Sequence, residues 1–249
     1  MKGVILAGGT GSRLFPVTKV TNKHLLPVYD KPMIYYPLEC MARAGIEEVM
    51  LVTGGNNAGD FIRLLGNGHE FGLKHLTYTY QDGAGGIAQA LGLCEHFVDG
   101  EPIMLILGDN ILERSIERPA QNFRKQLKAT GGRGAKILLA EVENPRAYGV
   151  AELDGSGRVI GIEEKPQNPK SNKAVIGVYF YDGHVFEIVK TLKPSARGEL
   201  EITDVNNAYI REGLMTADEV EGWWADAGEN LDFYLKACNV VAQSGANKP

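Results

Sequence analysis

Short apolar runs alternate along this chain with stretches in which apolar residues recur at three- and four-residue spacing. Val4-Ile5-Leu6 reads as a strand that breaks into glycines. Met33 to Ala44 has helical spacing and closes at Gly45, and Glu48 to Val52 is strand-like up to Thr53-Gly54-Gly55, which together make one βαβ unit. Ala58 to Leu65 predicts a short helix stopped by Gly66, His75 to Tyr80 alternates as a strand, and Ile87 to Phe97 predicts a helix. Ile103-Met104-Leu105-Ile106-Leu107 is apolar at every position, so it predicts a central strand buried on both faces, with Gly108-Asp109-Asn110 at its carboxyl end. Strands and helices in this alternation predict an α/β fold, a Rossmann-like three-layer sandwich around a mixed, mostly parallel central sheet. Ligands gather at the carboxyl ends of strands in such sheets, so Asp109 is expected on the edge that also carries the first glycine turn.

The second half changes character. Gly149 to Glu152 and Arg158 to Glu163 flank Asp154-Gly155-Ser156-Gly157 and predict a hairpin, followed by a strand over Val175 to Tyr181. Helical spacing returns around His184 to Leu192 and Thr203 to Arg211, with a strand over Met215 to Val220 and a last helix from Glu229 to about Gln243. No linker, repeat or low-complexity tract divides the chain, so a single domain over residues 1–249 is expected.

Chemistry enters with Ala7-Gly8-Gly9-Thr10-Gly11-Ser12-Arg13-Leu14, followed by Lys23 and by Pro27-Val28-Tyr29-Asp30-Lys31-Pro32. Backbone N–H groups in a glycine-rich turn point outward as an anion cradle. A guanidinium and an ammonium just beyond it suit a polyphosphate, Arg13 forking onto phosphate oxygens and Lys23 adding a point charge. The dinucleotide fingerprint would start at Gly9 and Gly11, but its third glycine falls on Leu14. No Gly-Lys-Ser/Thr follows either, which excludes a P-loop.

Further segments read two ways. Glu163-Glu164-Lys165-Pro166 is either a set of solvated charges before a turn or a phosphosugar grip, with Lys165 on phosphate and Glu164 accepting from hydroxyls. Ala147-Tyr148-Gly149-Val150 would ordinarily be core packing and a turn, and Arg197-Gly198-Glu199-Leu200-Glu201-Ile202-Thr203-Asp204 a helix start capped near Glu201 or Thr203. Trp223-Trp224-Ala225-Asp226-Ala227-Gly228 holds a carboxylate beside two rings able to fix a loop, or a plain surface aspartate before a turn.

Taken together, Leu6-Ala7-Gly8-Gly9-x-Gly11-x-Arg13-Leu14-x-Pro16, Lys23-x-Leu25-Leu26-Pro27-Val28 and Lys31-Pro32-Met33-Ile34 resemble the sugar-1-phosphate nucleotidylyltransferases, most closely those that join dTTP to glucose 1-phosphate. The resemblance runs from Leu6 to Gly228. It implies the nucleotide-diphospho-sugar transferase fold, with a nucleotide-binding part over about residues 1–110, a sugar-binding part over about 111–228 and a C-terminal helix over 229–243. It makes Leu6, Gly8, Gly9, Gly11, Arg13, Gln81 and Gly86 nucleotide contacts, the glutamine pairing with an imide edge that thymine and uracil share. Gly149, Glu164, Lys165, Val175 and Glu199 become sugar-phosphate contacts, and Arg13, Lys23, Asp109 and Lys165 the catalytic set. Magnesium, a hard cation held by one or two carboxylates and substrate phosphates, is expected on Asp109 and Asp226. The implied product is dTDP-glucose, a first step toward dTDP-rhamnose, made by a homo-oligomer; uridylyl transfer stays open as the alternative. His24 stands where the commonest family pattern has glutamine, and is read as a packing residue. Longer members add C-terminal helices that build a second nucleotide site; one helix precedes Ser244-Gly245-Ala246-Asn247-Lys248-Pro249, so a short form is expected.

A net charge of −5 argues against a nucleic-acid partner, and anionic substrates must then be met by local cations. Cys40, Cys94 and Cys238 are odd in number and far apart, which suits reduced thiols. No apolar stretch is long enough for a signal peptide or membrane span, so a cytoplasmic protein is expected. A nicotinamide oxidoreductase would need the missing third glycine and an acidic residue where Thr53-Gly54-Gly55 stands. A non-catalytic nucleotide-sugar sensor would keep the fold while losing charged positions, yet Arg13, Lys23, Asp109, Lys165 and Asp226 are all present.

Overall fold

The computed structural model describes Met1 through Pro249. In chain order the elements are β1 (Lys2–Ala7), β2 (Pro27–Val28), β3 (Lys31–Pro32), α1 (Tyr35–Arg43), β4 (Glu48–Gly54), α2 (Ala58–Leu65), β5 (His75–Gln81), α3 (Ile87–Gly92), α4 (Glu95–Val98), β6 (Ile103–Leu107) and β7 (Asn110–Leu112). There follow α5 (Glu117–Ala129), β8 (Ala135–Glu141), β9 (Gly149–Leu153), β10 (Val159–Glu164), β11 (Lys173–Tyr181), α6 (Val185–Thr191), α7 (Ile202–Arg211), β12 (Met215–Glu219), β13 (Trp224–Asp226) and α8 (Leu231–Ser244). They form two compact units, one of Met1–Ala84, Leu105–Arg118 and Glu221–Pro249, the other of Gly85–Met104 and Pro119–Val220. No helix is long and apolar enough to cross a membrane.

In the first unit β1 pairs in parallel with β4, and β4 with β5, the register matching Ala7 to Thr53 and Gly54 to Gln81. Val4, Ile5, Val49, Leu51 and Val52 are fully buried, each such side chain contributing about 1.5–3 kcal/mol of transfer free energy. The helical spacing from Met33 becomes helix at Tyr35, with Ile34 as the cap accepting from the Leu38 N–H. The N–H groups of Met33 and Ile34, which a helix start leaves without internal acceptors, donate to the carbonyls of Leu26 and His24. The helix ends where Gly45, at φ 71°, turns the chain out. A second core joins α1, β7 and α8 through Val28, Met33, Tyr36, Ile111, Ala237 and Val241.

In the second unit β8 lies between β11, antiparallel, and β12, parallel, while β9 pairs antiparallel with β10 and with β11. The hairpin is made by Asp154, whose Oδ1 accepts from the N–H groups of Ser156 and Arg158. Phe123 of α5 packs on Phe180 of β11 with ring centroids 5.6 Å apart. The single helix expected over Ile87 to Phe97 is two, broken after Gly92, because glycine gives up about 1 kcal/mol of helix stability relative to alanine. The sequence pattern passed over α5 and β8; β8 is buried from Ala135 to Ala140. All three cysteines are free, with Cys40 and Cys94 buried.

Candidate active site

The first unit assembles its site at the carboxyl ends of β1, β5 and β6. Leu6 is buried in β1, and beyond Ala7 the chain turns through Gly9 at φ 94° and Gly11 at φ 63° into a 3-10 turn over Ser12–Leu14. Leu14 is buried and anchors that turn, leaving Arg13 exposed. A Cβ on Gly8 would meet Oε1 of Gln81 at 3.0 Å. The loop therefore lies directly against the glutamine at the end of β5, as close backbone approach requires.

Lys23 starts a second 3-10 turn, capped by Asn22, whose Oδ1 accepts from the N–H of His24 at 2.9 Å. The His24 ring, 2.8 Å from the same oxygen through Nδ1, is buried under Gly108, where a Cβ would meet its Cδ2 at 2.7 Å. Burial and the Lys23 charge push its pKa down to about 3, so it packs as a neutral ring under the residue that precedes Asp109.

The Lys23 ammonium stands 2.5 Å from Oδ2 of Asp109. Burial works against the Asp109 charge, but Lys23 and hydrogen bonds from Lys23 and Asn110 outweigh it and hold the carboxyl well below the usual range. Lys23 is correspondingly held above its ordinary range by Asp109 despite its own burial. Asp226 arrives from 117 residues further along the chain because β13 pairs antiparallel with β7, setting Asp226 opposite Asn110, and because the Ala227 N–H donates to the Asp109 carbonyl at 2.9 Å. Burial, then the neighbouring Asp109 charge, raises the Asp226 carboxyl well above the usual range, while its Oδ1 accepts from the Gly228 N–H at 3.0 Å.

A buried carboxylate, Asp109, and a half-buried one, Asp226, that repel each other beside the Lys23 ammonium are a donor set suited to a hard cation that also takes substrate oxygens. Asp109 and Asp226 thus fit magnesium. Gly228 packs tightly on this cluster, since a Cβ there would meet Asp109 Oδ2 at 2.2 Å and Lys23 Nζ at 2.6 Å.

The second unit gathers the other charged set. Glu164 pairs with Gly149 across β10 and β9, and Gly149 with Val175 across β9 and β11, so these three stand side by side on adjacent strands. A Cβ on Gly149 would come within 3.2 Å of Glu164 Oε2, the oxygen that accepts from Thr203 Oγ1 at 2.8 Å. Lys165 follows at φ 46°, a left-handed conformation that its N–H bond to the Tyr148 carbonyl at 3.0 Å holds in place; such non-glycine strain clusters at functional positions. Arg197 grips Glu201 through Nε at 3.2 Å and Nη2 at 2.8 Å, and lies 3.6 Å from the carboxylates of Glu164 and Glu199. Gly86, at φ 92°, packs on this segment, its would-be Cβ 2.5 Å from the Leu200 carbonyl and 3.0 Å from Glu199 Cβ.

Sequence reasoning missed several partners. Thr203 and Glu201 do lie at the start of α7, but neither side chain caps it: Thr203 donates to Glu164, and Glu201, at the cap position itself, makes no side-chain cap bond. Asn110 and Trp224, which tie β7 to β13, carried no periodic signal. Glu229 passed for a helix start, although it pairs with Arg13; a third carboxylate so soon after Asp226 was the available clue.

The chain matches the nucleotidyl transferase family over residues 2–243. It is 45% identical over 244 residues to a glucose-1-phosphate thymidylyltransferase of Neisseria meningitidis, covering 96% of this chain and 82% of that one. Among solved structures, a Bacillus anthracis protein assigned as a glucose-1-phosphate thymidylyltransferase, in complex with sucrose, superposes with a TM-score of 0.90 at 51% identity, covering 96% of this chain and 94% of the other. A UDP-glucose pyrophosphorylase complexed with UDP-glucose gives a TM-score of 0.83 at 26% identity over 97% and 98% of the two chains.

Proposed function

This chain belongs to the nucleotidyl transferase family, and we propose that it transfers the thymidylyl group of dTTP to glucose 1-phosphate, yielding dTDP-glucose and pyrophosphate. The observation that carries this reading is the assembly in one unit of the glycine loop, Gln81 beside Gly8, and the Lys23–Asp109–Asp226 cluster. Within the second unit, Glu164, Lys165 and Arg197 are groups suited to a phosphosugar. The sugar and base are those in the names of the relatives.

The chemistry needs no general base, because a sugar phosphate is largely ionised at neutral pH and brings its own nucleophile. One of its oxygens attacks the α-phosphorus of dTTP, the bond from that phosphorus to the β-bridging oxygen breaks, and pyrophosphate leaves. The barrier is the approach of two anions. Arg13 forks onto triphosphate oxygens, and Lys23, fixed by Asp109, keeps donors free for the departing pyrophosphate. Lys165 takes the sugar phosphate, while Glu164, aimed by Thr203, accepts from sugar hydroxyls. Magnesium on Asp109 and Asp226 would supply charge neutralisation at the phosphates. Gln81 offers a donor and an acceptor to the pyrimidine imide edge.

Uridylyl transfer is the second reading, favoured by the fold shared with the UDP-glucose pyrophosphorylase and by an imide edge that uracil also presents. The deciding experiment is pyrophosphate release from glucose 1-phosphate with dTTP, UTP, GTP, CTP and ATP in turn, with and without magnesium. Highest kcat/KM with dTTP is expected; a preference for UTP selects the second reading, and failure of all five nucleotides to release pyrophosphate leaves a non-catalytic binder. Equal rates with mannose 1-phosphate would remove the sugar assignment.

A further inference from the structure

Arg13 and Glu229 are 216 residues apart in sequence, yet the Glu229 carboxylate accepts from Nη1 of Arg13. Neither group arrives there by chance of a floppy surface. Glu229 sits between Gly228, locked to Asp226 by its N–H, and Asn230, whose side chain caps α8 by accepting from the Phe233 N–H at 3.0 Å. Arg13 projects from a 3-10 turn anchored by buried Leu14. The Glu229 charge also bears on Asp226, so it lies within the field of the carboxylate cluster. The carboxylate on Nη1 of Arg13 takes one of the donors that phosphate oxygens would use, since both anions bind arginine through its N–H groups. The Arg13 side chain is 58% exposed, against 24% for Glu229, which keeps the arginine open to an arriving anion; a pair with its cation in solvent is weak enough to be exchanged.

We propose that Glu229 is a carboxylate latch on Arg13, released when nucleotide phosphates take the guanidinium and re-formed as pyrophosphate departs. The latch rests on the nucleotidyl-transfer reading of the same site, and makes Glu229 a positioning residue that sets triphosphate and pyrophosphate affinity. It weakens both ligands in parallel, because each must displace the same carboxylate. In return it gives Arg13 a partner to move to when the product leaves.

The test measures binding of dTTP, and separately of pyrophosphate, to the full chain by calorimetry with magnesium and without sugar phosphate. Glu229→Gln should tighten both about twofold to fivefold relative to wild type, the range of an exposed ion pair. In an Arg13→Gln background the same substitution should tighten neither, which a general relief of negative charge would not predict. Unchanged or weaker binding in Glu229→Gln overturns the latch, as does equal tightening in the Arg13→Gln background. Glu229→Ala serves as the second variant, expected to follow Glu229→Gln. Wild-type turnover measured alongside separates the two readings: failure to release pyrophosphate from dTTP and glucose 1-phosphate defeats the proposed reaction, whereas turnover with unaltered dTTP affinity in Glu229→Gln defeats the latch alone.

Discussion

Trp224 donates its indole Nε1–H to Oδ1 of Asn110 at 2.7 Å, while the other end of the Asn110 amide donates to Oδ1 of Asp109. One asparagine thus links the strand that carries Asp226 to the side chain of the other candidate metal ligand. Trp224→Phe keeps an aromatic ring but removes the indole N–H, so the Asn110 amide loses the bond between its oxygen and β13. Stability should fall by about 1 kcal/mol, the net worth of a neutral hydrogen bond, and turnover by about tenfold as Asp109 loses its aim. Steady-state kinetics and urea unfolding check this; wild-type kcat in the variant would mean that the β7–β13 pairing orients the carboxylates unaided.

Gly228 has no room for a side chain. Its backbone is outside the left-handed region, so the obstacle is contact alone, with the would-be Cβ 2.2 Å from Asp109 Oδ2. Gly228→Ala must push apart the Lys23–Asp109 pair, at an overpacking penalty of about 1–3 kcal/mol. Turnover is expected to fall about a hundredfold while circular dichroism at 25 °C stays native, the temperature being about that of ordinary assays. An active Gly228→Ala enzyme would show that the pair can separate without harm.

Asp226 makes stability depend on pH in the direction opposite to most aspartates. Its folded carboxyl is raised above the ordinary 3.8 by burial and by Asp109, so the folded chain holds a proton that the unfolded chain has lost. That contribution is complete below 3.8 and drains away as pH climbs through the raised value. Asp109, held below 3.8, has the reverse sign and loses its contribution only as pH falls toward its lowered value. Asp226→Asn keeps the acceptor for Gly228 and removes the repulsion. It should therefore be inactive, yet more stable than wild type by about 1–2 kcal/mol at about pH 8, and equal to it near pH 4. Adding magnesium at about pH 8 should raise the melting temperature of wild type and leave Asp226→Asn unmoved. Thermal scans across pH decide it: a variant less stable than wild type at high pH contradicts the electrostatic account.

Thr203→Val removes the hydroxyl that donates to Glu164 while keeping the shape of the side chain. Glu164 then loses its aim, and KM for glucose 1-phosphate should rise about tenfold, with KM for dTTP unchanged within error. A rise confined to dTTP would place Glu164 outside sugar recognition.

The candidate site was legible in its parts. The glycine turn could be read because Gly9 and Gly11 need positive φ, and the cations because Arg13 and Lys23 follow it closely. Ile103–Leu107 and Ala58–Leu65 appear with the bounds the pattern suggested, since uniform burial and an i, i+4 pair such as Phe61 and Leu65 leave a local trace. The helix through Gly92 was over-read because apolar spacing continued where backbone propensity did not. The Thr203–Glu164 bond is not legible in the sequence, because a threonine near a helix start usually caps its own helix and nothing nearby reveals that a strand carboxylate competes for it.

What the order of residues determined alone was the set of local choices: which runs extend, where a glycine must turn, and which charges are on hand for phosphate. The pairing of those charges was left to tertiary structure. Asp226 lies beside Asp109 only because a three-residue strand, Trp224–Asp226, pairs with Asn110–Leu112, and Arg13 meets Glu229 only because α8 packs on the core of Tyr36 and Ile111. Strands that short have no propensity of their own to announce them. They form because hydrophobic burial elsewhere has already covered the entropy of closing a loop of more than a hundred residues, and local sequence carries no record of that sum.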